Sequence, residues 1–521
     1  MDIAAIQAEN ELLRETLKRQ AAHIERLERQ LRQTQERLEA LLRAHYGRKS
    51  EKIQPGQSEL DLGMTDAADV IPSTPAPAAP VLELLPPARK PRAKRGRRVI
   101  PDDLPEVVQI HDLSPEQKAC AGCGREMTLI GTDDAVKIAY EPATLTKLVH
   151  RQCKYACKCG CEQSGIGVHT APRPSEPIPG CLADASLLAH VAVSKTQDHL
   201  PVHRITTQLA RLGFPGSRAT VNNWYLDTAE VFEPVYQCLK ASVLACPVLH
   251  HDDTPIREME KGKGQCRTSR IWVAARGLAP WHVVFDYTRT RGQEGPKRFL
   301  ADYRGHLVAD ACPVYDGLYE SGGIVEVGCW AHTRRGFHDA HVSGEGEALP
   351  LLAQIRALYR IEAEARDKSL DAMGVFALRQ ERSKPIVDKI GAIMKGWRET
   401  GRLLPKSLLG KAVTYAENQW EALNRFLWDG RLPIDNNRAE NLIRPLAVGR
   451  KNWLFFGNDR GGRAAAVLHS LMVTCRMNQV NPYAYIEDVL RRIMDHSQTR
   501  IAELLPDQWQ AKRAAATAAA I

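Results

Sequence analysis

At 521 residues, with 44% hydrophobic and 26% charged side chains, the chain has the composition of an ordinary soluble protein and room for three or four domains. Its formal net charge of +9 is modest, so the placement of charge matters more than its total. No apolar run reaches the roughly 18 residues of a membrane span, and the charged N-terminus lacks a signal-peptide core; both exclude a membrane protein and point to the cytoplasm, where the 13 cysteines stay reduced.

Residues 1–48 read as a dimerising coiled-coil helix. Ile3, Asn10, Leu17, Ile24, Leu31 and Leu38 form one heptad column, and Ile6, Leu13, Gln20, Leu27, Thr34 and Leu41 the other. Residues 49–98 read as a disordered Pro/Ala-rich linker, because Pro72, Pro75, Pro77, Pro80, Pro86 and Pro87 preclude a regular element. The linker ends in a basic run, Arg89–Arg98, of the kind that holds nucleic acid. Residues 99–168 read as a zinc-binding domain. Cys120 and Cys123 form a CxxC knuckle, and after a strand-like stretch Cys157 pairs with Cys159 or Cys161, with Cys153 spare. Two thiolate pairs joined by a hairpin suit tetrahedral Zn²⁺. The other seven cysteines are most simply buried free thiols.

Residues 180–244 read as helices. Leu209, Gly213, Ser217, Val221 and Trp224 fit either a helix-turn-helix, with Arg218, Asn222 and Asn223 projecting toward DNA, or a plain helical pair. From Ala245 the texture is β-like. Strands are expected at Pro247–His250, ending at Asp252; at Ile271–Ala275; at Trp281–Asp286; at His306–Ala309, ending at Asp310; and at Ile324–Val327, closing at Cys329–His332. Strands interleaved with a helix near Lys297–Tyr303 make an α/β sheet domain, 245–465, in which two strand-end aspartates can meet. Residues 345–432 read as a helical insertion within it.

The stretch Ile434–Trp453 reads as a loop feeding a short helix capped by Asp435 or Asn436, with Leu442, Ile443 and Leu446 on its apolar side. Taken locally it fits a surface helix with a Glu440–Arg444 ion pair. With the two upstream aspartates it also fits a metal-ligand helix, with Arg438, Arg444, Arg450 and Lys451 supplying charge for phosphates. Gly457–Arg463 reads as a phosphate-contacting loop, and residues 466–521 as a C-terminal helical domain with a frayed end. Asp252, Asp310 and Glu440 are hard oxygen donors suited to Mg²⁺ or Mn²⁺, and two such ions about 4 Å apart drive phosphodiester chemistry.

HDDTP (251–255), VADACPVYDG (308–317), VGCWAHTRRGF (327–337) and IDNNRAENLIRPLAVGRKNWLFFGNDRGG (434–462) resemble the signatures of the insertion-sequence-66 family of bacterial DDE transposases. LRAHYGRKSEKI (42–53), the cysteine knuckle through KYAC (154–157), and HSLMVTCRMNQVNPYAYIEDVL (469–490) extend the likeness over nearly the whole chain outside the linker. The resemblance implies an RNase H-like catalytic domain with Asp252, Asp310 and Glu440 as the metal-binding triad. It places Cys329, His332 and Arg334 near that triad, with Arg334 or Arg335 holding phosphate. Two departures stand out: Asp253 where the family usually has Glu, which makes it a neighbouring rival ligand, and CKCGC in place of a plain second CxxC.

The expected fold is therefore multidomain α/β: coiled coil, zinc-binding domain, helical domain, and RNase H-like catalytic domain with a helical insertion. The expected function is a transposase that binds terminal inverted repeats, hydrolyses the 3′ ends and joins them to target DNA. The expected partners are double-stranded DNA, a second or further copy of the chain, and accessory proteins of the same element, with no membrane; bound to DNA, the protein is expected at the nucleoid. A catalytically silent DNA-binding derivative is the alternative reading, and a junction-cutting or RNase H-type nuclease is a more distant one.

Overall fold

The computed structural model describes Gln20, residues 143–155 and residues 169–519, apart from Lys261, Lys263, Ser321 and Arg402. The coiled-coil reading, the linker and basic run, and Cys120, Cys123, Cys157, Cys159 and Cys161 lie outside the described residues. Cys153 is an exposed free thiol just before a two-residue ladder, in which Lys154–Tyr155 pairs with His169–Thr170. Among the other described cysteines, Cys246, Cys329 and Cys475 are buried, but Cys266 is exposed, against the expectation of buried thiols throughout. No helix among the described residues is long and apolar enough to cross a membrane.

Four helices come first: α1 (Ala185–Thr196), α2 (Val202–Arg211), α3 (Arg218–Val231) and α4 (Glu233–Leu244). The turn between α2 and α3 uses Gly213 at φ +95°, a conformation costly for any residue with a Cβ. The Ser217 side chain then accepts from the Thr220 N–H and caps α3.

A five-stranded mixed sheet follows, built from β1 (Val248–Met259), β2 (Cys266–Arg276), β3 (Val283–Thr288), β4 (Gly305–Val308) and β5 (Ile324–Val327) in the order β3-β2-β1-β4-β5. The first strand is central: antiparallel to β2, and parallel to β4, which is parallel to β5. Several strand ends differ from expectation; β2, for one, starts at Cys266 rather than Ile271. β1 does not stop at Asp252 but runs on to Met259, because its hairpin with β2 stays in register through Met259↔Cys266. The third strand starts at Val283 rather than Trp281, since the His282 N–H turns back to the Pro280 carbonyl.

Alternation gives the sheet two apolar faces. Ile256, Ile271, Val273 and Phe285 pack on Leu442, Ile443 and Leu446 of a later helix, each such burial contributing roughly 1.5–3 kcal/mol. Leu249, Trp272, Ala274 and Val284 pack on Val235, Leu239 and Val243 of α4, and this core continues into Leu209, Val221, Leu468 and Ile486. The helices before the sheet and those at the C-terminus are thus layers of one core. The outer strand β3 is covered along its backbone: Ser470 Oγ accepts from the Phe285 N–H at 2.8 Å, and Thr474 Oγ1 both accepts from and donates to Val283 at 3.1 Å.

Between β5 and the stretch at 434 the chain is helical. Helix α5 is Trp330–Val342, followed by α6 (Leu349–Asp367), α7 (Ala372–Leu378), a π turn at Arg379–Ser383, α8 (Lys384–Glu399), α9 (Leu408–Asn418) and α10 (Trp420–Asn424). Helices α5, α6, α8, α9 and α10 share a core with Val248, Val308 and Val327 of the sheet. Gly328 sets the junction: its N–H donates to the Ala422 carbonyl at 2.9 Å, and a Cβ there would lie 2.9 Å from the Leu423 nitrogen. Gly328→Ala should therefore cost about 1–3 kcal/mol by forcing backbone apart, read as a lower urea midpoint; an unchanged midpoint would mean that this contact is dispensable.

Candidate active site

Asp252 emerges where the β1–β4 ladder ends, the last pair being His250↔Val308. It shares its face of β1 with His250, Thr254 and Ile256, while His251 and Asp253 lie on the other. That alternation gives the two aspartates different surroundings. Asp253 is clamped by Arg270 at 2.8 Å and Arg291 at 3.0 Å, whereas Asp252 accepts only the neighbouring Asp253 N–H, at 2.8 Å. Asp310 follows the end of β4, with its carbonyl accepting from the Cys312 N–H.

Glu440 lies in the first turn of α11 (Asn437–Trp453), a full-length helix rather than a short one. Asn436 stands at the cap position, but its side chain does not cap. It is buried and bonds across 186 residues to His250 Nδ1 at 3.0 Å, and it donates to the His251 carbonyl at 2.8 Å. The helix start is thus stitched to β1 two residues before Asp252. Cys329 completes the joint: its buried sulfur accepts the Asn436 N–H at 3.2 Å, and burial pushes the thiol up to about 12, so it stays protonated. The neighbouring Trp330 N–H donates to the Ile434 carbonyl. Sequence reasoning missed His250 and this use of Asn436, since only the doubled HHDD pattern hinted at them.

Glu440 faces His332 at 3.7 Å and Arg335 at 3.8 Å, both from α5, and the expected pair with Arg444 is not formed. Burial, reinforced by the charges of Asp310, Asp253 and Glu440, pushes the Asp252 carboxyl up to about 7. Burial also raises Asp310, against the lowering pull of His332 and Arg291. His250 and His251 are held neutral by burial, at about 4 and about 3. Asp252 feels the charge of the other two carboxylates, but the three do not converge. Among the described residues no group of three or more His, Cys, Asp or Glu side chains is set at metal-holding distance. Two features nonetheless fit a divalent cation: the donors are hard oxygens, and Glu440 Oε1 is buried with no hydrogen-bond partner.

A prediction follows from Asp252. Its folded pKa lies above the unfolded 3.8, so the fold favours the protonated form and loses stability as pH rises from 3.8 to about 7. In metal-free protein at neutral pH, Asp252→Asn should gain on the order of 1–3 kcal/mol and flatten that pH dependence in urea titrations. Mg²⁺ should raise the wild-type midpoint and leave the variant's unchanged. A variant less stable than wild type would contradict this.

The basic residues divide. Arg335 is half exposed beside Glu440; Arg334 is partly buried on the same helix, near Tyr359. Arg444, Lys451 and Arg218 are exposed. Arg450 instead ties α11 to β1 through Thr254 and the Pro255 carbonyl, at 2.8 and 2.6 Å, and Arg438 turns inward over the Trp281 ring at 4.1 Å. The expected phosphate loop at Gly457–Arg463 is mostly helix: α12 spans Asp459–Met477, with Asn458 accepting from the Gly461 N–H. Within it Arg460 pairs with Asp227 and Glu230 at 2.7 Å, and Asp459 with Arg267 and Arg289.

Comparison with known proteins matches residues 180–464 to the family described as transposase IS66 family. Residues 470–506 match the IS66 C-terminal element, 117–161 the zinc-finger binding domain of transposase IS66, and 33–108 the region described as transposase C of IS166 homeodomain. Two uncharacterized proteins of Sinorhizobium fredii are similar along their length. One, y4jD, is 30% identical over 506 residues, covering 94% of this chain and 96% of that protein. The other, y4qI, is 33% identical over 422 residues, covering 78% and 75%. A match over more than half the chain, embracing both aspartates, Glu440 and the helices that carry them, leaves one assignment: the chain belongs to the IS66 transposase family.

Proposed function

We propose that the protein is an active DDE-type transposase that binds the terminal inverted repeats of its element and catalyses strand cleavage and strand transfer. The observation that carries this is the gathering of Asp252, Asp310 and Glu440 from three distant segments into one electrostatic neighbourhood. The order β3-β2-β1-β4-β5, with three antiparallel and then parallel strands, supports an RNase H-like catalytic fold.

Asp252, Asp310 and Glu440 would hold Mg²⁺ or Mn²⁺. A bound pair of such ions supplies activation of the attacking water or 3′-hydroxyl and stabilisation of the leaving oxygen. Asn436 fixes the start of α11 against β1 and so sets the position of Glu440 relative to Asp252. Arg335, half exposed beside Glu440, would hold a strand phosphate, joined by Arg334, Arg444 and Lys451. Arg218, exposed at the start of α3, is placed for a further DNA contact. Cys120, Cys123, Cys157 and Cys159 or Cys161, inside the zinc-finger match, form a thiolate set suited to structural Zn²⁺. The N-terminal helix would pair two copies so that both element ends are held together.

The test is nicking of a duplex that carries the element's terminal repeat. Wild type with Mn²⁺ or Mg²⁺ should nick at the 3′ end; Asp252→Asn and Asp310→Asn should bind the duplex and leave it intact. Tight end binding by wild type with no nicking under either ion would instead establish a catalytically silent DNA-binding protein. Cleavage of any RNA–DNA hybrid without preference for the repeat would establish a general nuclease.

A further inference from the structure

Helix α11 has a second functional end. Glu440 lies in its first turn and Trp453 is its last residue, roughly 20 Å further along at 1.5 Å per residue. At that far end lies a half-open cavity of about 280 Å³, walled by Tyr225, Trp453 and Phe455 and by three basic side chains, Lys195, His203 and Arg218. No Asp or Glu lines it.

Lys195 is the feature that asks for a ligand. Its ammonium sits over the Tyr225 ring at 5.1 Å and the Trp453 ring at 5.7 Å, with no carboxylate paired to it among the described residues. Burial alone pushes it down to about 8. Lys195 is partly buried, and a cation withdrawn from water without a partner is costly unless an anion is brought to it.

The lip of the cavity is apolar, exposed and fixed. Leu454 ends the helix at φ +66°, a conformation unusual for a residue with a Cβ, and it turns Phe455 outward; they are 62% and 39% exposed. The next residue, Phe456, is buried, stacks on Trp453 at 4.9 Å, and is bonded on both sides to the end of β1 through Arg257 and Met259. Such anchoring holds an exposed aromatic in place at the rim of a basic cavity.

Flat aromatic walls, unpaired cations and the absence of acid together describe a site for a planar base that carries a phosphate. We propose that this cavity holds one unstacked nucleotide of the DNA strand, with its base against Phe455 and Trp453 and its phosphate on Lys195 and Arg218. The proposal rests on the DNA-processing reading given above and adds a contact that α11 links rigidly to the carboxylates.

The test uses the full chain and a short oligothymidylate carrying one 5-iododeoxyuridine, with the matching duplex as control. Irradiation should crosslink the single strand to the peptide containing Trp453 and Phe455. Phe455→Ala should weaken single-strand binding about 5- to 100-fold, the range for one lost base stack, and Phe455→Trp should restore it. Phe455 is exposed at the lip, so its removal should leave the thermal midpoint unchanged. Lys195→Met should weaken binding and lower the salt slope by roughly one phosphate contact.

Crosslinks confined to other peptides, or equal single-strand affinity in wild type and both loss variants, would overturn the proposal. The transposase reading would stand in that case if end-dependent nicking persists, whereas failure to bind single-stranded or duplex DNA would overturn both. Thymidine 5′-phosphate competing as well as the oligonucleotide, in a Phe455-dependent manner, would make the occupant a free nucleotide and overturn the strand assignment.

Discussion

Glu440→Gln should keep its grip on the terminal repeat and lose strand cleavage by roughly three orders of magnitude, the equivalent of about 4 kcal/mol of transition-state stabilisation. The substitution preserves size and shape and removes only the charge. The fold should tolerate it, because Oε1 has no hydrogen-bond partner and Oε2 has only a half-exposed arginine 3.8 Å away. The helix N-terminus favours an anion by about 0.3–1 kcal/mol, so the thermal midpoint should fall slightly at most. DNA affinity, measured on the uncut repeat, should be equal to or better than wild type, since a negative charge has left a site that must receive phosphate. A variant that cuts at the wild-type rate would remove Glu440 from the ligand set. His332→Ala gives the contrast: its imidazole neighbours Glu440 at 3.7 Å without sharing the ligand role, so it should slow cleavage less.

The second large effect lies far from the carboxylates. Arg379→Ala should destabilise the protein by about 3–5 kcal/mol, the cost of stranding a buried charge. Arg379 is almost wholly buried in the π turn and forms a two-pronged pair with Glu362 at 2.7 and 2.8 Å. It also donates to the carbonyls of Phe426, Asp429 and Leu432, the segment that delivers the chain to Ile434 and Asn436. Removing it leaves the Glu362 carboxylate without its partner and takes a donor from three carbonyls, of which Asp429 keeps the Leu432 N–H, beneath the helix that carries Glu440. Urea unfolding should report the loss, and cleavage should fall with it. Replacing both partners at once, Glu362→Leu with Arg379→Met, should recover most of the stability but not the hold on 426–432. A double variant with full cleavage would show that this loop needs no anchor.

What could be read from the residues alone follows how local each signal is. The short apolar runs at 271–275 and 324–327 needed only their own neighbours to declare a strand. The polar half of β1, Thr254–Met259, lies beyond the strand end expected at Asp252; it is strand because residues 266–270 pair with it and Phe456 lies against its end. Asn436 looked like a helix cap because that is what an Asn before a helix usually does, yet its amide is taken by His250 and His251, which no local window contains. Gly461 and Gly462 made a loop the natural reading. Helix wins there because Asn458 caps the turn, and Gly462 lets α12 approach the Tyr287 ring, 2.5 Å from where a Cβ would stand. The family likeness singled out the two aspartates and Glu440 as an expectation; the joint of Asn436 with His250, His251 and Cys329, which ties the start of α11 to β1, was not legible.

One detail of the sheet bears on how copies of this protein can associate. A border strand ordinarily offers a ladder of amides to any extended chain that comes near, and this is a route to runaway aggregation. Here Ser470 and Thr474 of α12 satisfy the outward amides of Phe285 and Val283. An incoming strand would have to displace a helix that belongs to the protein's own core. Two copies of the chain brought close together are therefore barred from joining their sheets at these amides.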